Sequence, residues 1–199
     1  MNKFWKVVSA IFAVGVIIIF CSNTQKSTLT ITTITREIAF TDKYNPDARI
    51  CIPAAYTGVD GEIEGEYRIN GVTHGKKSRS ERISIHPKKG LVISKQWQSN
   101  NGFQQHVLIK DGKVRKFKDN RRFRRRALCC DASDPGKLFI IESNKRMTMN
   151  DFANEISQHC TTAVNLDMGR WGYGWIDNKT LSLWAYVFKD WQTNWLCCE

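Results

Sequence analysis

Toward the end of this 199-residue chain an apolar run closes on two polar side chains, Asn165 and Asp167, flanking Leu166. It then enters a loop in which Gly169, Gly172 and Gly174 alternate with Arg170, Trp171, Tyr173 and Trp175. A carboxyl group at such a place can take a proton from water or give one to a leaving oxygen. Glycines let backbone N–H groups come close to a ligand, and aromatic residues offer flat faces to sugar rings. Arg170 can hold a phosphate or carboxylate through two parallel hydrogen bonds. A hairpin with packed aromatics and a turn-capping Asp would contain the same residues, and composition does not separate the two. On an extended strand Asn165 and Asp167 face one side, so Asn165 can orient the Asp, bind a hydroxyl or tie down a loop.

Anion chemistry is the second theme. The formal net charge is +11, and between Lys76 and Arg126 lysine and arginine far outnumber Glu81, Asp111 and Asp119. Such a surface fits an anionic partner: a phosphorylated glycan, a lipid head group or nucleic acid. The densest run, residues 118–126, is either an anion-binding edge beside the site or a solvated face. No nucleic-acid fold motif accompanies it, so nucleic acid is not expected as a partner. His86, His106 and His159 show no ligand spacing and His74 sits in a predicted hairpin, so neither a metal nor another cofactor is expected. His106, in Phe103-Gln104-Gln105-His106, is the histidine that could line a cleft.

The N-terminus bears on compartment. Lys3 and Lys6 precede an uncharged run from Val7 to Cys21, the pattern of a signal peptide or, extended by Phe4 and Trp5, a signal anchor over residues 1–22. A membrane span needs about 20 apolar residues. Cys21 stands where a lipidated cysteine would, although Phe20 fits that processing motif badly. Residues 23–46, rich in Ser and Thr, read as a flexible tether, with one domain over 47–199. The protein is then exported, periplasmic or associated with a bacterial cell envelope, and meets the membrane only through its leader. Export makes Cys51, Cys129, Cys130, Cys160, Cys197 and Cys198 candidates for disulfides, with free thiols the alternative.

Short runs of strand composition bounded by turn residues fall at 49–55, 64–69, 82–86, 91–97, 105–109, 114–117 and 137–142. Asn70-Gly71 and Asp111-Gly112 suit tight hairpin turns. The apolar period then becomes helical through Met149, Phe152, Ala153, Ile156 and Cys160, with Thr148 as N-cap and Asp151 three residues on. Strands at 162–166 and 180–188 follow, the second after a turn at Asp177-Asn178. Residues 191–196 read as core-covering aromatics. The expected fold class is α+β: a strand-rich single domain with a mixed sheet and a C-terminal strand-helix-strand unit carrying the site, Asp167 standing at a strand's carboxyl end.

Met147-Thr148 at the helix start, Ala163-Val164-Asn165-Leu166-Asp167 after it, the strand at 137–142 and Arg125-Arg126-Ala127-Leu128 upstream together resemble the phosphodiester glycosidase domain family, which includes the mannose 6-phosphate uncovering enzyme and bacterial exported members. The resemblance covers roughly residues 50–184 and is strong only after Arg125. It implies a hydrolase cleaving the glycosidic bond of a phosphodiester-linked or phosphorylated sugar in an envelope or host glycan. Asp167, Arg125, Asn165 and Glu142 become the catalytic candidates, Glu142 as a partner carboxylate. Gly169, Arg170, Trp171, Tyr56 and His106 become the substrate-binding candidates. Departures stand at the same place: the family's glycine run is Met168-Gly169-Arg170 here, Trp171 replaces a small hydroxyl residue, and an early Asn-Gly-Gly element is at best Pro53-Ala54-Ala55-Tyr56. A catalytically inactive glycan-binding module of the same fold is the alternative.

Overall fold

The computed structural model describes residues 27–34, 37–58, 60–86, 89–131, 133–134, 136–168, 174–177, 179–180 and 194–198. Three sheets organise these residues. The first has strand order β1 (Leu29–Ile34), β12 (Leu138–Ser143), β11 (Arg126–Cys130), β13 (Thr162–Leu166), β9 (Val107–Lys110) and β10 (Lys113–Val114). The second runs β15 (Lys179–Thr180), β14 (Trp175–Ile176), β3 (Ile50–Pro53), β16 (Trp195–Cys198) and β2 (Ile38–Thr41). The third runs β5 (Val72–His74), β4 (Tyr67–Ile69), β8 (Gly102–Phe103), β6 (Arg82–His86) and β7 (Gly90–Ser94).

One apolar core joins all three sheets. Leu128, Ile140, Val164 and Leu166 from the first meet Phe40, Ile50, Ile52 and Leu196 from the second and Ile83, Leu91 and Phe103 from the third. The other face of the first sheet is covered by helix α1 (Met149–Ile156), whose Met149, Phe152, Ala153 and Ile156 are buried on Ala127, Cys129, Phe139, Ile141 and Ala163. The central strands β11, β12 and β13 are therefore apolar on both sides, and they read in sequence as short continuous apolar runs rather than as an alternation. Thr148 caps α1 as expected, its hydroxyl accepting from the Asp151 N–H at 3.0 Å.

The α+β expectation does not hold. Every strand pairing among the described residues is antiparallel, and α1, at eight residues, is the one helix among them. β12, α1 and β13 follow one another in the chain, yet β11 lies between the two strands and pairs antiparallel with both, so they form no strand-helix-strand unit with a mixed sheet. The sequence shows a change of apolar period but not which strand inserts between the two. Nor is the 23–46 stretch a tether where it is described. β1 pairs along its whole length with β12, and β2 with β16, so the domain is under way at Leu29 rather than at Asp47. β-branched Thr and Ile fit a pleated edge strand well, and only Leu29 and Ile34 of β1 are buried, which keeps its sequence polar in appearance.

Both expected hairpins form, with Asn70 and Asp111 at φ 50° and Gly71 and Gly112 at positive φ after them. Cys51 and Cys197 face each other on neighbouring strands β3 and β16 and are joined in a disulfide, while Cys129, Cys130, Cys160 and Cys198 are buried outside that bridge. No helix among the described residues is long and apolar enough to cross a membrane. The leader and Cys21 lie outside those residues, as do Gly169, Arg170 and Trp171.

Candidate active site

The end of β13 is held from two sides. The Asn165 N–H donates to the His106 carbonyl at 2.8 Å and the Asp167 N–H to the Ala54 carbonyl at 2.9 Å, so the strands that begin at Val107 and end at Pro53 bring Tyr56 and His106 to Asn165-Leu166-Asp167. The Asn165 Nδ2 donates to the Tyr56 hydroxyl at 2.9 Å and to the Leu166 carbonyl at 3.0 Å. That carbonyl fixes the amide orientation, because only the nitrogen can donate to it. The buried Oδ1 has no hydrogen-bond partner among the described residues, and an unpaired buried acceptor is costly unless a ligand donates to it.

Tyr56 is the hub. Its phenol is pushed above its ordinary range by burial and by the Asp167 carboxylate, against the pull of Arg125 and Arg79. It therefore keeps its proton, and with its oxygen already accepting from Asn165 it can donate. Its ring meets His106 edge-on at 6.0 Å between centroids, and His106 meets Phe117 in the same way at 5.8 Å. Burial lowers the His106 pKa, Arg79 and Arg125 lower it further, and Asp119 opposes them, so the imidazole is neutral at neutral pH.

Arg125 precedes β11 and is 6% exposed. Its backbone is clamped to Ser143, its Nε donates to the Met147 carbonyl at 3.2 Å, and its Nη2 donates to the Arg121 carbonyl at 2.8 Å. The Phe123 ring lies 5.2 Å from the guanidinium carbon. Burial lowers the Arg125 pKa, with Tyr56 and Asp119 acting the other way, and an arginine so held stays a cation.

Asp167, Arg125, Asn165, Tyr56 and His106 thus gather in one place. Glu142 does not join them. β-strand side chains alternate, and Arg126 and Glu142, paired in register across β11 and β12, lie on the other face of the sheet from Ala127 and Ile141. There Glu142 accepts from the Arg126 Nε and Nη2 at 2.9 and 2.8 Å, and the Arg126 Nη1 reaches the Asp167 backbone carbonyl at 3.4 Å. Glu142 thus compensates a buried arginine. Sequence reasoning missed Arg79, Phe117 and Asp119 at the cluster. Arg79 was visible only as one cation in a basic stretch, and no local spacing tells that a loop 27 residues before His106 returns to it, with the Arg79 Nη2 3.5 Å from the His106 Nε2.

No group of three or more His, Cys, Asp and Glu among the described residues is placed to hold a metal. A separate cavity of about 290 Å³, lined by Ile34, Phe40, His86 and Leu138 among others, shares no residue with the cluster.

A family model described as phosphodiester glycosidase matches residues 30–170, a span that contains Tyr56, Arg79, His106, Arg125, Asn165 and Asp167. The chain belongs to the phosphodiester glycosidase family. Its match starts inside β1 and so agrees with the strands in placing the domain's beginning before Asp47. Among solved structures, the crystal structure of a hypothetical protein from Synechocystis has the same fold at a TM-score of 0.50 and 11% identity, over 88% of this chain. This chain spans 57% of the length of that protein. No curated protein matches the chain. The cluster thus brings together a carboxylate at a strand end, a phenol that keeps its proton, a buried amide whose oxygen has no hydrogen-bond partner among the described residues, and cations beside them.

Proposed function

We propose that this chain is an exported hydrolase that cleaves the glycosidic bond of a phosphodiester-linked sugar in an envelope or host glycan. The observation that carries the reading is the convergence of Asp167, Asn165 and Tyr56 with Arg125 in a chain of the phosphodiester glycosidase family. In the reaction the bond between the anomeric carbon and its phosphate oxygen breaks, the phosphate leaves as a monoester with that bonding pair, and water supplies the new oxygen on carbon. Asp167 takes the proton that water loses. A phosphate monoester is already a stable anion, so the leaving oxygen needs cations more than it needs an acid, and Arg125 with the Tyr56 hydroxyl supplies positive charge and a donor there. One carboxylate can then serve where most glycosidases use two. The Asn165 Oδ1 accepts from a sugar hydroxyl.

Export is supported by the leader pattern and by the disulfide between Cys51 and Cys197, a bond that persists in oxidising compartments. An anionic glycan is supported by Arg79 and Arg125, neither of which has a carboxylate within ion-pair distance among the described residues, and membrane contact is confined to the leader. The second reading, a glycan-binding module without activity, gains from one observation: Glu142 is committed to Arg126, on the other face of the sheet from Asn165.

Turnover of aryl phosphodiester sugars by wild type and Asp167→Asn decides between them. We expect the variant to lose 100-fold or more of kcat, the lower end of what a positioned acid or base contributes, about 100-fold to 10,000-fold. Equal rates would remove Asp167 from the mechanism, and glycan binding without turnover in wild type would establish the module.

A further inference from the structure

The loop between β5 and β6 is exposed at every residue from Gly75 to Ser80 except Arg79, which is half-buried. What turns this one side chain inward is Gln104, a fully buried amide. Its Oε1 accepts the backbone N–H groups of Glu66, Ser78 and Arg79 at 3.0, 3.0 and 3.4 Å, and its Nε2 donates to the carbonyls of Arg79 and Glu81 at 2.6 and 3.3 Å. Two glycines let the loop descend onto it. Gly75, at φ 75°, passes so near the Gly65 carbonyl that a Cβ would stand 2.4 Å from that oxygen, and a Cβ on Gly65 would meet the Ser78 hydroxyl at 2.6 Å. At the loop's exit Glu81 is gripped by Lys110 at 2.9 Å and Arg115 at 2.7 Å. An exposed loop is thus fixed at four points, and the side chain it delivers to the cluster is a guanidinium.

That guanidinium donates to Ser78 at 2.9 Å and rests against the His106 Nε2. Among the described residues neither Arg79 nor Arg125 has a carboxylate within ion-pair distance, unlike Arg49, Arg82, Arg115, Arg121 and Arg126. Both act on Tyr56 and on His106, two neutral groups. Cations from two separate segments thus reach the same phenol and imidazole, and a phosphate monoester carries more negative charge than the diester from which it leaves.

We propose that Arg79 is a direct ligand of the substrate's phosphate group, working with Arg125, and that Gln104 is the positioning residue that holds it there. This rests on the hydrolase reading for its substrate, while the phosphate site itself is independent of turnover. Arg79 contributes most as the monoester forms, and the His106 Nε2 is the acceptor on which it rests when no phosphate is bound.

Phenyl phosphate is the probe, titrated by calorimetry into the full chain, with the His106 imidazole followed by NMR. His106 faces Arg79, Arg125, Asp119 and the Tyr56 and Phe117 rings, and a bound phosphate raises its pKa by placing negative charge beside it. Arg79→Ala should lose tenfold or more in affinity and raise the His106 pKa in the free protein. Arg79→Lys should recover only part of the affinity, since an ammonium lacks the planar fork. Lys77→Ala, in the same loop, should bind as wild type. Gln104→Ala, folded by circular dichroism, should match Arg79→Ala in both readouts, and the double variant should be no weaker than either. Undiminished phosphate affinity in Arg79→Ala, or no binding by wild type, would overturn the proposal. If wild type turns over a phosphodiester sugar and Arg79→Ala does so with the same KM and kcat, this inference fails alone. Arg79-dependent phosphate binding in a wild type that turns nothing over keeps the site and discards hydrolysis.

Discussion

His106 ties the cluster to pH. In an unfolded chain its imidazole takes up a proton near 6.5, whereas in the fold burial, Arg79 and Arg125 keep the proton off to lower pH. Between the two values the unfolded state binds more protons, so stability rises with pH across that window and is fully present above about 6.5. Replacing His106 with Gln should therefore flatten the pH dependence of the urea midpoint between pH 5 and 7, compared with wild type. An identical slope in the two proteins would mean that the neutral imidazole is not a property of the fold. At this scale the sequence exposed a good deal. Asp167, Asn165, Arg125, Tyr56 and His106 were all candidates from residue type and family resemblance, and all meet. Glu142 failed because alternation along β12, invisible without the register to β11, sends it to the opposite face.

The pairing of β11 with β12 and β13 is the element on which the cluster depends, since it carries Arg125 at its start and borders Asn165 and Asp167. Its weak point is polar. Arg126 is 1% exposed in its side chain and is answered by Glu142 alone among carboxylates within ion-pair distance in the described residues. Removing one member of a buried pair leaves an uncompensated charge and typically costs about 3 to 5 kcal/mol. We expect Glu142→Ala to destabilise the protein by about 3 kcal/mol in chemical unfolding, and Glu142→Gln, which can still accept from the guanidinium, by less. A loss of phosphodiester turnover in a Glu142→Gln protein of near-normal stability would contradict its assignment to the fold. In this sheet β9, β12 and β13 were readable from composition and the β9–β10 turn from Asp-Gly, whereas β1 was read as tether and β11 was not read as a strand. The order of the strands was not readable, because the pairings of β1 with β12, β11 with β13 and β13 with β9 join residues 32 to 114 positions apart.

Across the whole molecule, the three sheets share one core and the Cys51–Cys197 disulfide closes a loop spanning 146 residues of sequence. Constraining so long a loop in the unfolded chain contributes about 5 kcal/mol in the chain-entropy account. Reduction, or a Cys51→Ser and Cys197→Ser double variant, should lower the thermal midpoint by several degrees while the secondary structure survives below it. A midpoint unmoved by reductant would show that the bridge adds nothing to stability. The sequence by itself determined the kinds of local structure, the tight turns, the cap of α1, the family and most of the cluster's members, because each is written in residue types over a few positions or in one recognisable motif. Tertiary structure alone decided that β1 and β2 belong to the domain, that no strand-helix-strand unit forms, that Glu142 serves Arg126, and that Gln104 turns Arg79 toward Tyr56 and His106. These are outcomes of pairing register and of contacts between segments remote in sequence, and the free energy that selects them comes from burial that no local window contains.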